Sequence, residues 1–591
     1  MNSYREATAR QRVAALFDAG WHEFVPPTLR IVSPHLRILN APQAFDDGVI
    51  VGRAALGGHS VLFAAQEGGF MGGAVGEVHG AKITGMLQRA MTEPVAAVLL
   101  LLESGGVRLH EANAGLIAVS EIMRALLQVR AKGVPVIVLI GGANGCFGGA
   151  GILARCGNWI IMSEEGRLAM SGPEVIEAAH GVEEYDARDR ALIWRTCGGK
   201  HRYLLGDCDV LVADDMVAFR DAAIDAIQTC AGRNSALNAA ALDVEHAQLA
   251  ARIACFGQCR DSAEIWQALG VANVNALPML DVADFVALTN GYRQTLDRIS
   301  TDAGMASSLQ SGCADTPPET PDAADISNSR GNSAPANGTQ SLATLPVACP
   351  PPATWQAIAA LLFPHGHEIE QQGPLLHGTA QLAGAVTLKV AVIGTCEHTP
   401  IGVEIALQQA RLVLDVVRNC PQRPILLLID TCGQRLRHRD EMLGINSYMA
   451  HLGKCIELAR QNGHKVLALV YDQALSGGFL SSGMMADACF AVPQAQIRVM
   501  ALGAMARITK VSEVTLQELA QHNPVFAPGA ENYWKMGGVA AMWNSELAAN
   551  LEHALGTARP QDTRAQWGMV RGGRQLAQQV IEMVVSDVAP A

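Results

Sequence analysis

The sequence predicts an α/β protein that contains one parallel-strand unit twice, and three observations carry that prediction. Apolar runs of strand length alternate with stretches of helical period. A segment of about fifty residues without apolar periodicity divides the chain, and glycine-marked turns recur on both sides of it at nearly equal spacing. The length agrees, because 591 residues exceed the roughly 250–300 that one hydrophobic core serves.

Composition sets the class. Apolar residues are 49%, charged residues 17% and mean hydropathy is +0.17, enough apolar surface to offset chain entropy in a globular fold. No run approaches the roughly 20 apolar residues of a membrane helix. The start, Met1-Asn2-Ser3-Tyr4-Arg5-Glu6, is too polar for a signal peptide, so a cytoplasmic location without membrane contact is expected. Fourteen scattered cysteines offer no metal-type spacing and no disulfide framework. A net charge of −12 without a basic block argues against nucleic acid.

From about 302 to 353 the composition shifts to Ser, Gly, Pro and Asp, as in Ser311-Gly312-Cys313-Ala314-Asp315-Thr316-Pro317-Pro318, and reads as a disordered linker. It leaves domains at 1–301 and 354–591. In the first, 5–19 has helical spacing and ends at Gly20, and strands 95–102 and 134–140 flank a helical stretch at 116–131. That order implies parallel strands with crossover helices.

The halves share a skeleton. Gly76, a helix, a strand ending in Glu103-Ser104-Gly105-Gly106, a helix, a strand and Gly148-Gly149 are answered by Gly402, a helix, a strand ending in Asp430-Thr431-Cys432-Gly433, a helix, a strand and Gly477-Gly478. From Gly76 to Gly106 is 30 positions against 31 from Gly402 to Gly433, and Gly106 to Gly148 is 42 against 44 from Gly433 to Gly477. A further strand is expected to end near Met170 and near Met500.

Paired glycines at strand ends and helix starts present backbone amides unobstructed, at the positive end of a helix dipole. Such amides form a site for a carbonyl oxygen gaining negative charge; the other reading is close packing of helix on strand. The candidate catalytic positions are Gly105, Gly106, Gly148, Gly149, Gly433, Gly477 and Gly478. Phosphate chemistry fits poorly, since the glycine-rich run from Gly141 to Gly149 has neither a Walker Gly-Lys-Ser/Thr nor a properly spaced GxGxxG. Ser476 lacks a GxSxG elbow and a histidine nearby in sequence.

Gly72-Gly73-Ala74-Val75-Gly76-Glu77, Glu103-Ser104-Gly105-Gly106-Val107-Arg108-Leu109-His110-Glu111, Cys146-Phe147-Gly148-Gly149-Ala150 and Ser171-Gly172-Pro173-Glu174 resemble successive motifs of acyl-CoA carboxyltransferase N-domains. Asp430-Thr431-Cys432-Gly433-Gln434-Arg435, Ala474-Leu475-Ser476-Gly477-Gly478-Phe479 and Pro524-Val525-Phe526-Ala527-Pro528-Gly529 resemble the gamma subunit of biotin-independent malonate decarboxylase. The first half is correspondingly similar to the beta subunit, so the chain reads as a beta-gamma fusion.

The resemblance implies a crotonase-like ββα superhelix in each half, and decarboxylation of a malonyl thioester to acetyl thioester and carbon dioxide. The substrate would be carried by an acyl carrier protein (delta subunit) whose prosthetic group is phosphoribosyl-dephospho-CoA, reloaded by an alpha acyl-carrier transferase subunit. The chain itself is expected to bind no cofactor or metal and to form a homo-oligomer. By analogy the first half holds the thioester oxygen and the second faces the departing carboxylate, with Ser476, Gln434 and Arg435 binding substrate. Candidate proton donors are Glu67, His79, Glu103, Tyr185, His398, Tyr471 and water. The cluster Arg435, Arg437, His438 and Arg439 suits an acidic carrier, or is a solvated helix face. Two other readings stay open: a biotin-dependent carboxyltransferase, although no Ala-Met-Lys-Met motif is present, and a non-catalytic scaffold.

Overall fold

The computed structural model describes residues 2–293, 354–382 and 388–587. The segment 302–353, expected to be the linker, lies outside the described residues.

The first half is built on a seven-stranded sheet in sequential order: β1 (His22–Phe24), β2 (Val49–Leu56), β3 (His59–Gln66), β4 (Ala97–Leu101), β5 (Val136–Ile140), β6 (Trp159–Ser163) and β7 (Val210–Val212). β1 to β3 pair antiparallel, and β3 through β7 pair parallel. β4 and β5 are wholly buried, as continuous apolar runs covered on two faces must be. Alternate residues serve the two faces: Val98, Leu100, Val136 and Val138 join the core under the Ala112–Ala131 helix, while Leu99, Leu101, Ile137 and Leu139 pack toward Val13 and Phe219.

The second half repeats the plan. β8 (His367–Gln372), β9 (Leu375–Leu382) and β10 (Leu388–Thr395) pair antiparallel, and β10, β11 (Ile425–Thr431), β12 (Val466–Leu475) and β13 (Ala488–Ala491) pair parallel. β14 (Gln496–Arg498) also joins β12. The predicted repeat appears in the pairing itself. Short bridges Val75 to Val107, Ser104 to Cys146 and Cys146 to Leu168 correspond to Ile401 to Gln434, Thr431 to Ala474 and Ala474 to Ile497.

Two expectations shift. The helix expected over 5–19 is Ala9–Leu16, because Thr8 caps it and Gln11 returns a bond to the Thr8 amide. The strand expected to end near Met170 stops at Ser163, where the Gly166 amide turns back to the Ser163 carbonyl, and pairing resumes only as isolated bridges at Arg167 and Leu168.

The halves are packed together, and one apolar core runs through both sheets. The Ala577–Ser586 helix lies on the Glu77–Ala90 helix at Gly85, where a Cβ would stand 2.8 Å from the Val584 Cβ. Glu77 Oε1 caps that helix across the junction, accepting the amides of Gln575, Leu576 and Ala577 at 2.6–3.0 Å. Arg574 donates two bonds to Glu121, at 2.6 and 2.7 Å, with both side chains buried. The stretch Leu109–Ala131, long and apolar enough to span a membrane, has 94% of its most apolar 18-residue window buried in this packing.

Replacing Glu121 by Ala strands the Arg574 guanidinium in the core, and should destabilise the protein by about 3–5 kcal/mol in denaturant unfolding. Asp243→Ala, at the half-exposed pair with Arg418, should change it by less than about 1 kcal/mol.

Candidate active site

Strand ends of both halves converge on a cavity of about 540 Å³, walled from the first half by Gly105, Val107, Gly148, Gly149 and Met170 and from the second by Gln434, Ser476, Gly477 and Met500. The glycine loops meet there through backbone contact. A Cβ on Gly106 would stand 3.2 Å from the Gly148 Cα, and one on Gly148 3.0 Å from the Gly106 Cα. Both residues also have positive φ, 105° and 60°, so glycine is required twice over. Gly433 repeats the φ of 105°; opposite it stands Ser476, held at φ 44°.

Most of the glycine amides are already engaged. Gly105 N–H donates to the Gly72 carbonyl and Gly148 N–H to the Met170 carbonyl, each at 2.8 Å. Gly106 N–H donates to Ser104 Oγ and Gly433 N–H to Thr431 Oγ1, each at 3.1 Å. Gly477 N–H donates to Gln434 Oε1 at 3.1 Å. These five glycines therefore shape the loops rather than offer donors. Among the described residues, the amides of Val107 and Gly149 in the cavity wall have no protein acceptor. Val107 follows the glycine pair and Gly149 opens the Gly149–Cys156 helix. Gly478 N–H is also unpartnered, but Gly478 is wedged against the Gly433 carbonyl and Thr431 and is absent from the cavity wall.

The Gly148 turn is held from the other half. Glu441 accepts the amides of Met170 at 2.9 Å and Ser171 at 2.5 Å, and the Met170 carbonyl in turn takes Gly148 N–H. Glu441 is fully buried, which pushes its carboxyl up to about 7 even though the two amides oppose the shift.

Arg435, expected to bind substrate, stands with Asp440 around Gly402, at the start of the Val403–Asn419 helix. Arg108 and Glu111 surround Gly76 in the same way. Arg108 is ion-paired with Asp47 and Glu111 at 2.9 and 2.7 Å. Arg108 braces its loop through those pairs, while Arg435 lies beside Gly402 and outside the cavity wall. The basic cluster divides likewise. Arg439 binds Glu404, Asp440 and the Gly257 carbonyl, His438 is buried against Thr196, and Arg437 is exposed.

None of the six expected acid side chains lines the cavity. Glu103 is buried against Arg12 and the Asn144 amide, and His79 is locked between Asp47 and Gln66. Glu67 caps Ala9, and the Tyr471 hydroxyl donates to the Thr395 carbonyl. Tyr185 stacks near His438. His398 groups with Asp430 and Asp472, the one set among the described residues with metal-ligand spacing, and none of the three lines the cavity. The titratable side chains in the wall are Arg108 and His110. Burial, then the Arg108 charge, holds His110 below its ordinary value. Sequence reading passed over His110 although it lies inside the quoted motif. Cys146 is buried with its thiol pushed far up, and Cys432 is also raised by desolvation, which removes both as nucleophiles.

Residues 3–225 match the carboxyl transferase domain family, and 396–588 the malonate decarboxylase gamma subunit family. A malonyl-S-ACP:biotin-protein carboxyltransferase of Malonomonas rubra, MADC, is 38% identical over 306 residues, 48% of this chain and 95% of the relative. Its companion MADD, from the same organism, is 33% identical over 148 residues, 24% of this chain and 51% of the relative. A Pseudomonas malonate decarboxylase hetero-tetramer in complex with malonate contains a chain 42% identical, covering 39% of this chain and 84% of its own, with a TM-score of 0.38.

Because the Glu441 carboxyl is raised in the folded state, it is protonated there over a range in which the unfolded chain has already ionised. Its stabilising contribution is complete below about pH 4.5 and is lost as pH rises through about 7. Glu441→Gln should remove that component, of the order of 3 kcal/mol, from the pH dependence of unfolding measured between pH 5 and 8.

Proposed function

Because the chain belongs to the carboxyltransferase family of malonate decarboxylases, we propose that it decarboxylates a malonyl thioester borne on an acyl carrier protein. The observation that carries this reading is the pair of unpartnered amides, Val107 and Gly149, in the wall of a cavity between two carboxyltransferase-type halves. The bond from Cα to the carboxylate breaks, its electron pair forms the thioester enolate, carbon dioxide leaves, and a proton adds to Cα. Negative charge collects on the thioester oxygen, where the two N–H groups would receive it. Apolar walls from Met170, Leu480, Val499 and Met500 keep the losing carboxylate weakly solvated, which favours its departure.

His110 is the side chain in the wall able to deliver the proton, as a neutral imidazole N–H or through a water. Its lowered value keeps it neutral at pH 7. In this reading the carrier brings a phosphoribosyl-dephospho-CoA arm, a separate transferase reloads it, and the chain contributes no cofactor. The biotin-linked alternative takes support from the name of the Malonomonas relatives. Acetyl-thioester formation from malonyl-loaded carrier, with and without avidin, separates the two: avidin-insensitive turnover supports decarboxylation, and dependence on a biotinylated partner overturns it.

Val107→Pro deletes an N–H that has no protein acceptor, so the fold should keep its thermal midpoint while kcat falls about 10²- to 10³-fold. His110→Phe should lower kcat by about 10²-fold or more with KM little changed, both measured by carbon dioxide release.

A further inference from the structure

Among the differences between the shared loops of the two halves, one closes one of two carbonyl sites. The matching bridges make Val107 the counterpart of Gln434 and Gly149 the counterpart of Gly477. In the first half the Gly149 amide is open, since a valine side chain offers no acceptor. In the second, Gly477 N–H donates to Gln434 Oε1 at 3.1 Å. An N–H donor is met by the oxygen end of a carboxamide, which fixes the side chain's orientation. Gly477 is packed around this contact, because a Cβ there would lie 3.1 Å from Gln434 Oε1 and 2.4 Å from the Met170 Cε. Gln434 also lines the cavity, and among the described residues its Nε2 has no protein acceptor.

We infer that Gln434 is a specificity-determining residue whose own carboxamide fills the second carbonyl site, leaving no seat there for the carbonyl of a cyclic-urea co-substrate. The inference rests on the proposed decarboxylation and supplies its selectivity: one half offers both amides to the thioester oxygen, and in the other the helix-start amide of Gly477 is withheld from any acceptor of the carboxyl group. Exclusion by an internal ligand is efficient because an incoming carbonyl must first break an existing hydrogen bond and leave a carboxamide unpaired.

The test is calorimetric titration of the full chain with 2-imidazolidone, a cyclic urea. Gln434→Ala should bind the probe at least tenfold more tightly than the wild type. Gln434→Asn, one methylene too short to reach Gly477, should do the same and serves if the alanine variant does not fold. Equal affinity in wild type and variants, or no binding by any of them, would overturn the inference. Binding is read without turnover, so a wild-type chain inert toward malonyl-loaded carrier would sink the proposed reaction and not the assignment of Gln434.

Discussion

The loop that shapes the cavity is held by a cross-half contact, the Glu441 carboxyl accepting the amides of Met170 and Ser171. A buried carboxylate is costly unless hydrogen bonds replace its hydration, and here they come from the opposite half. Docking the halves therefore satisfies Glu441, and satisfying Glu441 fixes the strand end whose Met170 carbonyl holds Gly148. With Gly148 held at φ 60°, the next residue begins a helix with its amide directed away from the loop's own carbonyls. A site assembled this way cannot exist in either half alone. Glu77 capping the Ala577–Ser586 helix and Arg574 pairing with Glu121 show the same arrangement at the far side of the junction.

The architecture was legible because parallel strands buried on two faces leave continuous apolar runs, and because close loop contacts leave glycines. The near-coincident spacings of Gly76 and Gly106 with Gly402 and Gly433 reflect bridges that match pair for pair, and the same bridges set Gly149, one residue past Gly148, against Gly477. Of the two open amides, Gly149 stood among the glycines singled out from the sequence and Val107 did not. A glycine marks where backbones approach, and an approaching backbone consumes the amide, as Gly105 does with Gly72 and Gly148 with Met170. The free amides fall one residue on, at Val107 and Gly149. Partners 30 or more positions away carry no periodic signal, so Arg439 read as a free cation although the fold engages it with Glu404 and the Gly257 carbonyl.

The two halves kept the parts that shape a loop and diverged in what the loop presents. Gly76 with Arg108 and Glu111, and Gly402 with Arg435 and Asp440, place an arginine and a carboxylate around the same helix start. Ser104 and Thr431 offer equivalent hydroxyls to Gly106 and Gly433. Replacing the position of Val107 by Gln434 leaves the backbone bridge intact, because bridging uses main-chain groups, and changes only which acceptor the neighbouring helix start meets. Function in a repeated fold can thus be divided between copies by one side chain without disturbing either scaffold.

Charge completes the division of labour on the proposed reading. The one cation in the wall, Arg108, is neutralised by Asp47 and Glu111, and burial, then that same guanidinium, shifts His110 toward its neutral form. A malonyl carboxylate entering the cavity would meet N–H and O–H donors, including Ser476, but no unpaired cation among the described lining residues. A free arginine there would bind the substrate more tightly and would hold the carboxylate in its ground state, adding to the barrier for losing it. Placing neutral donors where the enolate charge appears, while leaving the departing carboxylate without a counter-ion, stabilises the transition state relative to the bound substrate. On that reading the extensive pairing of Arg108, which looks purely structural, would also keep the chemistry directed toward release of carbon dioxide.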